Sequence, residues 1–185
     1  TYPRIVSKIL KNTGIPSSQY CENNTDLDHE TFVYQRKIEN VPTNAKDNAY
    51  IGKISGYAFI PNDIDSIKQA IYQNQGLILL AILGTEWWTD QNGNRTYDKD
   101  KLLPCRIPKG DRFGHEVYVC GYEDIDGDTR IWFRNSWSKE WADNGNGYFL
   151  YSQYKPYILE MITFTDISNT ILEEAKNKPQ EFKHN

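Results

Sequence analysis

Two residues in this 185-residue chain have the types and spacing for proton-transfer chemistry: His115, near the start of an apolar run, and Asn135, which opens an Asn-Ser-Trp triplet twenty residues later. An imidazole moves protons near neutral pH, but only a fixed tautomer and ring plane make it useful to a reacting group. A carboxamide oxygen accepting from one ring nitrogen supplies both and leaves the second nitrogen free for a nucleophile. Asn135 is the candidate orienter. Trp137 and Trp141 are candidate shields, since an indole that covers a polar contact from water raises its strength. Taken alone, a histidine on an apolar strand is more often an inert core residue, so the weight rests on the combination.

The elements that must position these groups follow from residue parity. Phe113, His115, Val117, Val119 and Gly121 fall on one parity, and Glu116, Tyr118 and Cys120 on the other, which predicts a strand with His115 on the apolar face. Asp126-Gly127-Asp128 reads as a turn, and Arg130 to Asn135 is aromatic and β-branched enough to be the returning strand. Antiparallel pairing then brings His115 and Asn135 to neighbouring ends of one sheet.

Gly114-His115-Glu116-Val117, Gly121-Tyr122, Asn135-Ser136-Trp137-Ser138-Lys139-Glu140-Trp141 and Asn144-Gly145-Asn146-Gly147-Tyr148 resemble the histidine and asparagine blocks of papain-family cysteine peptidases, in the form found in the bacterial and phage branch. Weaker similarity begins at Tyr2-Pro3 and Gly14-Ile15 and runs to about Phe164. The resemblance implies an α+β fold, mostly the right-hand antiparallel β half-barrel lobe plus the end of the helical left lobe, with the site in the cleft between lobes. It implies His115 and Asn135 as catalytic residues, shielding by Trp137 and Trp141, no cofactor, and a peptide or protein substrate. Phe113, Gly114 and Glu116 are its substrate-pocket candidates. Glu116 stands where the family has a small residue, in a region similar to a wall of the second specificity pocket, which implies a preference for a basic side chain or a loss of function. Ser138 and Ala142 replace usual glycines, as small-for-small changes.

The family's cysteine block is absent, and none of the three cysteines replaces it. A nucleophilic thiol needs a helix N-terminus or a cation to lower its pKa, and must meet the imidazole. Cys120 is roughly 16 Å along the strand from His115 and on the opposite parity, where it reads as a buried strand residue. Prolines 104 and 108 flank Cys105 and exclude a helix starting there, and Cys21 precedes a polar turn-rich stretch. The expectation is a nucleophile outside this chain. The chain opens with Thr1 and its single methionine is Met161, so it reads as cut from a longer precursor whose N-terminal, cysteine-bearing piece is the expected partner. If that piece is lost, the alternative is a catalytically inactive structural or binding module with an apolar seam.

A net charge of -4 leaves no basic stripe to neutralise phosphates, which excludes a nucleic-acid role. The longest apolar run, Leu77 to Leu83, is far short of a membrane span. Three cysteines without a framework spacing argue against a disulfide-rich scaffold, although a bridge from Cys21 or Cys105 to the missing segment stays open. Compartment is unconstrained, with a secreted or virion-associated setting compatible. Thirteen tyrosines and five tryptophans read as a β-rich core with amphipathic rims rather than a sugar-binding surface.

Metal chemistry finds no support. Val119 stands where a zinc-peptidase helix starting at His115-Glu116 needs its second histidine. Asp124, Asp126 and Asp128 alternate like a calcium loop but lack its closing glutamate, and His29 and His184 have no ligand spacing with a cysteine. Along the chain, the pattern predicts a helix at 3–12 closed by Gly14, strands at 31–38 and 50–60 around a 42–48 loop, and a helix capped by Asn62 or Asp63 and stopped at Gly76. It continues with a strand at 77–83 buried on both faces, a long loop at 87–103, and strands at 147–154 and 158–165. Three regions result: residues 1–30 as the end of the left lobe, 31–165 as the β-rich right lobe, and 166–185 as a charged tail.

Overall fold

The computed structural model describes residues 3–17, 19–20, 40–89, 92, 104–137 and 139–165. The expected strand at 31–38, Cys21, His29, His184, most of the expected 87–103 loop and the tail lie outside them. The chain divides into two compact units, one of residues 1–57 with 165–185 and the other Ala58–Phe164.

In the first unit, helix α1 (Pro3–Asn12) ends as expected, with Gly14 at φ +90. A side chain there would collide with the Ala49 carbonyl, so glycine is needed for both conformation and space. The segment 42–60 departs from expectation. Thr43–Asn48 is a helix, α2, followed by a 3-10 turn over Ala49–Gly52, and only Gly56–Phe59 is strand β1. Gly52 lies against the backbone of Ile15, Asn48 Oδ1 accepts from Ser17 N at 3.0 Å, and the Leu10 carbonyl accepts from Ile54 N at 3.3 Å. These long-range contacts hold the segment helical against the β preference of Ile51 and Ile54.

The second unit carries the site. Asp63 caps helix α3 (Ile64–Asn74) through an acceptance from Ser66 N at 2.8 Å, and Gln75 in left-handed geometry closes it before Gly76. Ile67 and Ala70 face the sheet. Strands β2 (Leu77–Gly84), β3 (Arg112–Ile125), β4 (Asp128–Arg134), β5 (Asn146–Leu150) and β6 (Ile158–Thr165) join β1 in the order β1-β6-β2-β3-β4-β5. The pairings of β2 with β3 and β6, of β3 with β4 and of β4 with β5 are antiparallel. The fold is α+β, as the sequence implies.

One sheet face holds the core. Leu77, Leu79, Ala81 and Leu83 of β2, Val117 and Val119 of β3, Ile131 and Phe133 of β4, and Phe149 of β5 are all buried. The alternate residues Ile78, Leu80 and Ile82 are only half-buried, so β2 is not covered equally on both faces as expected. The expected strand at 147–154 stops at Leu150 and turns into a short helix, α4 (Tyr151–Tyr154), which drops Tyr151 and Tyr154 into the core.

A register shift between Val119 and Gly121 corrects the parity of β3. Val119 opposes Phe133 but Gly121 opposes Trp132, leaving Cys120 as the extra residue of a bulge. Gly121 therefore leaves the face shared by His115 and Val119. Cys120 is exposed, not buried, because a bulged residue loses its cross-strand cover.

Candidate active site

β3 presents His115 opposite Ala81 of β2, and Asn135 follows the last residue of β4. His115 Nε2 and Asn135 Oδ1 are 2.8 Å apart. The same Oδ1 accepts from the backbone N–H of Ser136 at 2.8 Å. A backbone amide can only donate, so the atom facing it is oxygen, and Nε2 must carry the hydrogen that it shares with that oxygen. The tautomer follows: Nδ1 is the nitrogen left for chemistry.

Asn135 is 7% exposed and its backbone is held as firmly as its side chain. Its N–H donates to the Gly145 carbonyl at 2.8 Å, and Gly145 N–H donates to the Trp141 carbonyl at 2.7 Å. The loop closes through Ala142, Asn144 and Gly145, at φ 46, 51 and 84. The glycine usual at position 142 has a conformational reason, and Ala142 bears the cost of left-handed backbone without that freedom. Asn135 Nδ2 is buried with no hydrogen-bond partner among the described residues.

The Trp137 ring lies 4.8 Å from the imidazole, tilted by 33°, and Trp141 meets Trp137 edge-on at 5.5 Å. Trp137 therefore packs against the imidazole ring, and Trp141 packs against Trp137. Trp87, at the end of a 3-10 turn after β2, was not singled out by sequence reasoning. It is 5% exposed and touches His115, Phe133, Trp137, Trp141 and Tyr154. The tandem Trp87-Trp88 after the apolar run was its available signal.

The three pocket candidates do not share one wall. Phe113 shares a parity with His115 and packs on Trp88 at 5.2 Å. Gly114 and Glu116 are on the other face, where Leu80 of β2 lies between Glu116 on β3 and Glu160 on β6. Burial pushes the Glu116 carboxyl above its ordinary range, and the nearby Glu160 charge adds to this. Glu160 was also missed by sequence reasoning.

Neither described thiol has the electrostatics of a nucleophile. Burial pushes Cys105 far above the ordinary thiol range, and the partial desolvation of the otherwise exposed Cys120 raises it as well. Among the described residues no cluster of three or more His, Cys, Asp or Glu could hold a metal. The Asp124 and Asp128 carboxylates are separately engaged, by Lys68 and Thr129 and by Ser152 and the Thr129 N–H. No helix among the described residues is long and apolar enough to cross a membrane.

A histidine locked by an asparagine that a tryptophan covers points to one family, and comparison with known proteins decides it. The papain family cysteine protease profile matches residues 11–164. The chain belongs to the papain family of cysteine peptidases. It is 30% identical over 117 residues to Peptidase 1 of Dermatophagoides pteronyssinus, covering 63% of this chain and 35% of that protein. It is 26% identical over 129 residues to chymopapain of Carica papaya, covering 70% and 34%. The chain thus spans about a third of the length of these curated relatives. Among solved structures, xylellain, a cysteine protease from Xylella fastidiosa, superposes with a TM-score of 0.67 at 19% identity, covering 89% of this chain and 61% of that one. Digestive procathepsin L 3 of Tenebrio molitor gives 0.57 at 19% identity, covering 90% and 49%. These superpositions establish the papain-like fold.

Proposed function

We propose that this chain forms the histidine and asparagine part of a papain-like cysteine endopeptidase, and that the nucleophilic cysteine comes from polypeptide outside it. One observation carries the reading: a 2.8 Å bond fixes Nε2 of His115 on Asn135, so Nδ1 is the nitrogen available to a thiol. A cysteine placed there forms a thiolate–imidazolium pair. The thiolate attacks the scissile carbonyl, and the imidazolium gives its Nδ1 proton to the leaving amine as the acyl-enzyme forms. Nδ1 then takes a proton from water, whose oxygen attacks the thioester, and returns it to the departing sulfur. Asn135 keeps the ring in plane through both half-reactions, and Trp137 with Trp141 keeps water from their hydrogen bond. Glu116 is the residue of this reading's second specificity pocket and favours a basic side chain; Gly114 shares its strand face, whereas Phe113 lies on the face of His115.

Intact-mass analysis of the native material with iodoacetamide labelling at neutral pH tests this. The expected result is a co-purifying segment whose cysteine is alkylated faster than Cys120, and peptide hydrolysis that disappears in His115→Ala while the fold persists. A single homogeneous chain that hydrolyses no peptide and reacts with no thiol-directed epoxide overturns it and leaves a non-catalytic module that kept the fold.

A further inference from the structure

We propose that Trp87, held by Tyr154, is a positioning residue for the His115 imidazole and its Trp137 cover; the proposal rests on the reading of His115 as the proton carrier. Tyr154 is 0% exposed, and its hydroxyl has two partners in the core. It accepts from Trp87 Nε1 at 2.7 Å and donates to the Ile82 carbonyl at 3.1 Å. Ile82 is next to Ala81, the residue paired with His115. The indole is therefore referenced to the main chain of the strand that faces the imidazole. At its other end, the Trp87 carbonyl accepts from Trp141 Nε1 at 3.1 Å.

A side chain tied this way has little freedom to turn. Its ring meets the imidazole edge-on, with centroids 6.3 Å apart and planes at 85°, and meets Trp137 at 6.2 Å and 67°. Asn135 fixes one ring nitrogen and Trp137 lies along a face. Trp87, edge-on to the imidazole, is a third contact on the ring. A phenylalanine or leucine would fill the volume, but only an indole N–H also meets the Tyr154 hydroxyl, so the pairing demands these two residue types together. Tyr154 itself packs on Phe149 at 4.8 Å, so its ring stays in place without the hydroxyl.

The test is NMR of the intact chain, reading solvent exchange of the His115 Nε2 proton, assigned by its loss in His115→Gln. Tyr154→Phe is expected to speed this exchange by about tenfold or more, with Trp87→Phe at least as large and the double variant no larger than the greater single effect. Amide exchange of Val117 and Leu79, in the same sheet, should change far less in Tyr154→Phe. Unchanged imidazole exchange in Tyr154→Phe, or a rise that only parallels those amides, overturns the proposal and leaves Tyr154 as a packing residue. The readout needs no turnover, so it stands or falls separately from the peptidase reading. With the complete enzyme, Tyr154→Phe should lower kcat and leave KM unchanged.

Discussion

The two ends of the β3–β4 hairpin are built from the same pair of strands and solve opposite problems. At the tip, Asp126 and Gly127 take left-handed geometry in a two-residue turn, and charged groups are answered locally. Glu123 pairs with Arg130 at 3.2 Å, and Lys68 reaches Asp124 at 2.6 Å. At the open end, Trp87 and Trp137 pack on a histidine beside a buried asparagine, and both polar residues keep hydrogen-bonding capacity unused: Asn135 Nδ2 has no partner among the described residues, and Nδ1 of His115 is not tied to the orienter. Exposed ion pairs contribute little and tolerate change. Enclosed polar groups in an aromatic shell are where a small displacement costs most. Chemistry belongs at the second kind of end, which sits next to the aromatic core rather than at the turn.

The contrast breaks most visibly in turnover. Removing the orienting bond with Asn135→Ala should lower kcat of the complete peptidase by about 10- to 100-fold, the equivalent of one charge-assisted hydrogen bond. Asp124→Asn at the tip should leave kcat unchanged, and steady-state assays of both variants check the pair. Next comes the aromatic floor. A Cβ at Gly147 would lie 2.7 Å from Trp141 and 2.9 Å from Phe133, both rigid and buried, so Gly147→Ala should cost about 1–3 kcal/mol in denaturant unfolding. Gly127→Ala at the tip meets no atom within 4 Å, and its cost should be confined to the backbone strain of φ +81.

Smaller effects sharpen the same comparison. Ala142→Gly relieves left-handed backbone in the loop that holds Asn135 and should stabilise by up to about 1 kcal/mol, after the added chain entropy of glycine is set against it. The Glu116 carboxyl is raised by burial, so its contribution is favourable while protonated and is lost as pH rises through its folded value. Glu116→Gln should therefore raise the melting temperature slightly at pH 7, and the gain should vanish below about pH 4. Calorimetry at the two pH values decides it.

Much of this was legible because it is local or periodic. Asp63 caps α3 by residue type and the helix stops just before Gly76, though Gln75 is the residue that closes it, and the alternation through Val117 and Val119 placed His115 on the core face. The spacing from His115 to Asn135 carried the hairpin and both ends of the hydrogen bond. What escaped depends on partners far away in the chain. Residues 50–52 read as the start of a strand by residue type, but the 3-10 turn they belong to is held by Ile15 and Gly14. Cys120 became exposed because one extra residue in β3 has no periodic signature. Trp87 and Tyr154 are 67 residues apart, and nothing in either neighbourhood announces that their side chains meet.

The hairpin tip has a practical use. Its Gly127 projects into open space, and the 14-residue β3, bulged at Cys120, runs from there past the imidazole. A fluorophore or short epitope grafted between Asp126 and Gly127 would report on the molecule from a permissive loop, leaving the His115 end untouched.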